Sequence, residues 1–256
     1  MSGQSQVRGT QLIGRSALLL RLIANANHQG ARLVDLTLHS GLERPTVRRI
    51  LQGLIEEGLV RQQDSDRRYF LGVLTYELGL AAARGIAMPS VAAASLDRIA
   101  RETGDTVYLV QRSGLDSVCI DRREGDFPVK VLTIDVGARR PLGAAAGGLA
   151  LLAGLPASER DAIVVDNRSQ MGAYEKLYGR SLEIAVADTL RRGFALMPTN
   201  VLPYVSGVAV TVPTRTGSPH TALAVSALAH RIMDDERYLH IAAILRQEAA
   251  SVAAML

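Results

Sequence analysis

The side chains best placed to do chemistry in this sequence are basic and crowded together. Within "ERPTVRRILQGLIEEGLV" (residues 43–60), Val47, Ile50, Leu51 and Leu54 recur at helical spacing and face inward, which leaves Arg44, Thr46, Arg48, Arg49 and Gln52 on the other side. Two more arginines, Arg67 and Arg68, follow a turn signal at Asp64-Ser65-Asp66. A row of guanidinium groups on a helix suits the DNA major groove, where arginine pairs with guanine and shorter polar groups hold phosphates. The charge distribution agrees. Residues 1–88 hold eleven Arg and Lys against seven Asp and Glu, and residues 89–256 hold 18 of each. The formal net charge of +4 therefore lies in the first third, which points to an anionic partner for that module.

The elements that must position these arginines can be read around them. Residues 12–27, "LIGRSALLLRLIANAN", space Ile13, Ala17, Leu20 and Ile23 as the apolar stripe of a helix. "RLVDLTLHSGL" predicts a short second helix closed by Gly41, and Pro45 suits the first turn of the third. Past Gly58 the period changes to two, so "LVRQQDSDRRYFLG" reads as a β-hairpin with Arg67 and Arg68 at its return. Three helices followed by a hairpin make a winged helix-turn-helix, classed as an all-α domain over residues 10–74. Residues 73–88 read as a connecting helix, which sets a linker at 75–89 and a second domain at 90–256.

The second domain alternates helices and strands. Helices are expected at "SVAAASLDRIARETG", "PASERDAIVVDN", "SLEIAVADTLRRG" and "DDERYLHIAAILRQEAASVAAML". "DTVYLVQRSGLDSVCIDRRE" is a strand pair, "VKVLTIDVG" (residues 129–137) a further strand, and "GVAVTVPT" and "HTALAVSAL" two more. That order gives an antiparallel sheet with helices on its faces, an α+β domain.

No catalytic or metal constellation accompanies these elements. The five histidines, His28, His39, His220, His230 and His240, are scattered, and none pairs with another ligand at metal-binding spacing. Cys119 lies in an apolar strand and reads as a small buried residue, not a nucleophile. Ser226 has no G-x-S-x-G elbow. One cysteine excludes an internal disulfide, and the polar start "MSGQSQVRGTQ" predicts a cytoplasmic protein without a secretory leader. With no tryptophan and 4% aromatic residues, a surface that stacks unpaired bases is not expected.

"PLGAAAGGLALLAG" (residues 141–154) admits a phosphate loop, a membrane span or plain core. Gly143 and Gly148 stand five apart as in a P-loop, but Leu149 and Ala150 replace the lysine and hydroxyl residue that phosphate and magnesium need. The apolar run is shorter than the roughly 18–20 residues of a span. What remains is a bare helix start. Its smallness either lets a carboxylate reach the first amides or lets the helix pack closely on the sheet, and spacing alone leaves both readings open.

The pattern "GRSALLLRLIA…LVDLTLHSGLERPTVRRILQGLIEEGLVRQQDSDRRYFLG" resembles the DNA-binding domain of the IclR family of bacterial transcription regulators. "ETGDTVYL", "DVGARRPLGAAAGGLALLAGLP", "RRGFA", "SGVAVTVP" and "ALAVSALAHRI" resemble its GAF-like effector-binding domain, and together the likeness covers about residues 10–254. It implies DNA contacts from Arg44, Thr46, Arg48 and Arg49, with Pro45 standing where the family has a hydroxyl residue. By resemblance to members that bind small keto acids, the effector pocket would use Val129, Leu132, Arg140, Ala146, Gly147, Met197, Val205, Gly207, Ala224 and Ser226. Met197, Gly207 and Ala224 stand where the family has an acid, a cysteine and a serine, whereas Ser226 is kept. A less polar pocket with smaller walls favours an organic acid larger than pyruvate, aromatic acids included. Arg140 either supplies a charge for the carboxylate or points to solvent.

The reading is a ligand-responsive regulator that binds double-stranded operator DNA as a homodimer, with tetramers formed from dimers, and that needs no cofactor, metal or membrane. Two alternatives from other classes are an enzyme with an appended DNA-binding domain and an architectural DNA-binding protein with a structural second domain.

Overall fold

Gly41 ends one helix in the left-handed conformation, φ 65°, and Pro45 sits in the first turn of the next. A side chain would strain the first position, and the second loses no hydrogen bond to proline. The computed structural model describes residues 10–83, 88–178, 181–198, 203–215 and 217–256. Chain contacts divide it into two compact units, Met1–Ala87 and Met88–Leu256.

In the first unit, α1 (Gln11–Asn25), α2 (Leu33–Ser40) and α3 (Arg44–Glu56) precede β1 (Val60–Gln62), β2 (Tyr69–Leu71) and α4 (Val73–Ala83). β1 and β2 pair antiparallel, Val60 opposite Leu71 and Gln62 opposite Tyr69, and Ala31 bridges to Tyr69. Leu19, Ile23, Leu36, Val47, Leu51 and Val60 form the centre of the core. The inward face of α3 is the predicted one, with Val47, Ile50, Leu51 and Leu54 all buried. The stripe expected on α1 needs correction. Ile23 is buried and Leu20 packs at the margin, but Ile13 is 69% exposed and Leu19 takes an inner place. Leu12, Ile13, Leu18, Leu19, Leu20 and Leu22 surround this helix on several sides, so spacing fits more than one face and packing against α2 and α3 selects among them.

The second unit runs α5 (Met88–Thr103), β3 (Thr106–Ser113), β4 (Asp116–Glu124), β5 (Arg139–Pro141), α6 (Ala146–Ala153), α7 (Ala157–Tyr178), α8 (Leu182–Arg192), β6 (Ala195–Met197), β7 (Val205–Thr211), β8 (Thr221–Leu228), α9 (Ala229–Ile232) and α10 (Asp235–Ala254). The six strands make one antiparallel sheet in the order β5-β4-β3-β8-β7-β6. Alternation along each strand divides the core between its faces. Val107, Leu109, Val208 and Val225 pack with α5 and α10, whereas Tyr108, Val110, Ala209 and Ala224 pack with α6 and α8. Residues 129–137, expected as a strand, are a loop instead. The alternation of Val129, Val131 and Thr133 mimics a strand, but side chains hold the backbone here. The carbonyls of Val131, Thr133 and Ile134 accept hydrogen bonds from Tyr108, Arg140 and Arg122.

Candidate nucleic-acid interface and internal cavity

The outer face of α3 and the wing enclose an open groove of about 740 Å³. Arg44, Arg48, Arg49 and Gln52 enter it from α3 and Arg67 from the wing. Among the described residues, none of these four arginines has an ion pair, and the acid that lines the groove, Asp66, is paired with Arg68 at 3.2 Å. Cations without internal partners in a concave surface are what a phosphate backbone needs. Thr46 is half-buried on α3 and does not line the groove. Arg68 turns away from it. Its guanidinium donates to the carbonyls of Gln29 (3.0 Å) and Gly30 (3.2 Å), which ties the wing to the α1–α2 connection. Three groove residues had no signal in the spacing: Arg32, Gln62 and Tyr69. Arg32 already holds Asp35 through two hydrogen bonds, of 2.7 and 3.0 Å, and this keeps the Asp35 carboxyl below the usual carboxylate range.

The second unit encloses a cavity of about 30 Å³ between its sheet and the start of α6. Its floor is Tyr108 and Val110 from β3 with Ala224 and Ser226 from β8. Ser117 and Cys119 of β4 form one wall, and Ala145–Gly148 form the other. Thr133, Ile134 and Arg140 roof it. All of α6 is buried, and Ala145 precedes it with no side-chain cap, so the first amides have no acceptor within the helix. Close packing accounts for the glycines: a Cβ on Gly147 would lie 2.9 Å from a Val110 methyl, and one on Gly148 would lie 2.9 Å from Ser117 Oγ. Both readings of the small-residue stretch therefore have a physical basis, since the same helix start is packed on β3 and β4 and borders the cavity.

Tyr108 fixes the roof. Its hydroxyl donates to the Val131 carbonyl at 2.8 Å and accepts from the Thr133 amide at 2.9 Å. Burial raises its pKa, so the hydroxyl stays protonated as a donor. Arg140 donates to the Thr133 carbonyl and borders the cavity. Burial pushes the Cys119 thiol up to about 12, the opposite of what a nucleophile needs. The structure brings together Arg140, Ala146, Gly147, Ala224 and Ser226 of the residues expected in a pocket. Met197, Val205 and Gly207 are buried on β6 and β7 outside this cavity, and Val129 and Leu132 are 52% and 47% exposed. Sequence reading missed Tyr108, Val110, Ser117, Cys119, Thr133, Ile134, Ala145 and Gly148. The alternation that puts Tyr108 and Val110 on the α6 face of β3 is the signal that finds those two.

Among the described residues there is no group of three or more His, Cys, Asp or Glu suited to a metal ion. No helix among them is long and apolar enough to cross a membrane.

A winged helix-turn-helix with a cationic groove, carried on one chain with an α+β domain, defines a DNA-binding regulator with a ligand-binding domain. The chain belongs to the IclR family of bacterial transcriptional regulators. Residues 13–64 match the IclR helix-turn-helix domain, and residues 81–254 match the family described as bacterial transcriptional regulator IclR C-terminal. It is a transcription regulator with an effector-binding domain, not an enzyme. The HTH-type transcriptional regulator XynR of Escherichia coli is 28% identical over 227 residues, covering 88% of this chain and 89% of that protein. An IclR regulator from Alicyclobacillus acidocaldarius has a similar fold, with a TM-score of 0.75 at 24% identity over 95% of this chain and 97% of its own. So does an IclR homologue from Microbacterium hydrocarbonoxydans complexed with 4-hydroxybenzoate, with a TM-score of 0.68 at 18% identity over 95% and 98%.

Proposed function

We propose that this regulator grips operator DNA through Arg44, Arg48, Arg49, Gln52 and Arg67, with Thr46 on the phosphate backbone and Arg68 holding the wing in place. Its effector is a small organic acid taken into the cavity under α6. The observation that carries the second statement is the meeting of Arg140, Ser226 and the bare α6 start around one partly open space. A guanidinium and helix-start amides together suit a carboxylate. The small, apolar Ala224 in the cavity floor favours an acid larger than pyruvate, and the benzoate-type ligand of the Microbacterium homologue is of that kind. A cavity of about 30 Å³ holds a water molecule or two, so such an acid needs the lining, Thr133 and Ile134 included, to give way.

Homodimerisation completes the reading, because regulators of this class read paired half-sites. α4 supports it: Val73, Tyr76, Leu78 and Leu80 are each more than half exposed among the described residues, apolar side chains that a second copy can cover. Such a protein works in the cytoplasm, where its DNA is. Titration calorimetry with benzoate, 4-hydroxybenzoate, glyoxylate and pyruvate tests the effector. Tight binding confined to glyoxylate and pyruvate refutes the larger acid. Ala146→Leu is expected to abolish the effector response while leaving DNA binding intact.

A further inference from the structure

The cavity face of the sheet carries a polar group that the family likeness did not assign. Register partners form a row across four strands: Thr106 on β3 lies opposite Ser226 on β8, Ser226 opposite Gly207 on β7, and Gly207 opposite Met197 on β6. Thr106 stands two and four positions from Tyr108 and Val110, so the strand pleat turns it to the same face. Ser226 borders the cavity, and directly opposed side chains on one face are within contact distance. Thr106 is only 2% exposed, and its Oγ1 is buried with no hydrogen-bond partner among the described residues. Two other buried threonines of this unit satisfy their hydroxyls locally. Thr103 donates to Ile99 and Thr189 to Ala185, each at 2.8 Å. Valine would fill the Thr106 position with the same shape and no unmet hydroxyl.

The charged group approaches from elsewhere. Arg140 pairs through its backbone with Ser117, and Ser117 lies opposite Arg112, near the far end of β3 from Thr106. The cavity thus has a guanidinium in its roof, at the Thr133 carbonyl, and the Ser226 hydroxyl in its floor, with the Thr106 hydroxyl beside Ser226 and just beyond the lining residues. We infer that Thr106 is a specificity-determining residue of the cavity, which with Ser226 reads a second hydrogen-bonding group on the acid, at the end remote from its carboxylate. A hydroxyl fits best, because threonine and serine can each donate to it and accept from it. The effector class is then a hydroxy acid. This rests on the reading that the cavity takes an organic acid.

Calorimetry on the full chain with two matched pairs, 4-hydroxybenzoate against benzoate and 3-hydroxypropionate against propionate, tests it. In the wild type, the hydroxylated member of at least one pair binds on the order of tenfold more tightly. Thr106→Val brings that pair to within about threefold without weakening the unhydroxylated acid, and Thr106→Ser keeps the preference. Without any acid present, Thr106→Val raises the melting temperature of the second unit, since it removes an unmet hydroxyl. Equal binding of both members by the wild type overturns the inference. So does a Thr106→Val protein that keeps the preference, or one that melts lower, which would mean the hydroxyl has an internal partner. If none of the four acids binds the wild type, the acid-binding reading fails and takes this inference with it. Binding that ignores Thr106 removes the inference alone.

Discussion

Gly147→Ala measures how tightly α6 sits on the sheet. The added Cβ would lie 2.9 Å from Val110 Cγ2, 3.2 Å from its Cβ and 3.5 Å from its Cγ1. Carbon atoms rest at about 3.5–4.0 Å, so helix and strand must part by about half an ångström or Val110 must leave its rotamer. Overpacking of this kind costs about 1–3 kcal/mol. Replacing a helical glycine by alanine returns at most about 1 kcal/mol, less in the first turn, so a net loss of about 1–2 kcal/mol is expected. Val110→Ala alone removes two buried methyls and costs about 2 kcal/mol. In the double variant the new methyl of residue 147 occupies space the valine left. The two losses should then fall short of additivity by about 1 kcal/mol. Urea unfolding of the four proteins, followed by a probe of the second unit, gives the cycle. A Gly147→Ala protein as stable as the wild type, or losses that add to within about 0.5 kcal/mol, would refute the packing argument.

Three further outcomes follow from the same geometry. Arg48→Ala should weaken DNA binding at every sequence and reduce the slope of log K against log salt by about 0.9, if it neutralises one phosphate; Arg68→Ala should leave that slope nearly unchanged and instead lower the stability of the first unit. Glu248 is held below its ordinary value of 4.5 by paired hydrogen bonds from Arg98, at 2.8 and 2.7 Å, against the opposing effect of burial. A depressed carboxylate stabilises the fold above its unfolded pKa, and that contribution fades as pH falls below about 4.5 through the folded value, so Glu248→Gln should lose stability at pH 7 and show a shallower acid limb in pH-dependent unfolding. Cys119, buried and with a thiol pushed up to about 12, should react with a thiol-specific disulfide reagent at pH 8 only as fast as the unit opens; rapid labelling of the native protein would contradict its placement.

Much of the fold was legible because its signals are local. The α3 stripe, the Gly41 stop and the period change after Gly58 each depend on a few neighbouring residues, and all are realised. The errors fell where partners distant in sequence decide. α1 is apolar on several sides, so only α2 and α3 could show that Ile13 stays outside. Residues 129–137 alternate like a strand, but the groups that take up their carbonyls come from Tyr108, Arg122 and Arg140. The same limit applies to the sites. The α3 arginines were visible in one window, whereas Arg32 joins them only because α2 packs beside α3. Thr106 reaches Ser226 through a strand pairing that spans 120 positions of sequence, and no short pattern records it.

The roof described above also sets a clock. If the cavity takes an organic acid as proposed, Tyr108 and Arg140, which pin the backbone from Val131 to Thr133 over a water-sized space, would make the admitting conformation a minor fraction of the ligand-free protein. The apparent dissociation constant would then be the intrinsic one divided by that fraction. In rapid mixing, the observed rate should stop rising with acid concentration once loop withdrawal becomes limiting. Tyr108→Phe, which loses both contacts to the loop, should raise that plateau and tighten apparent binding, although it removes a polar group from the cavity wall.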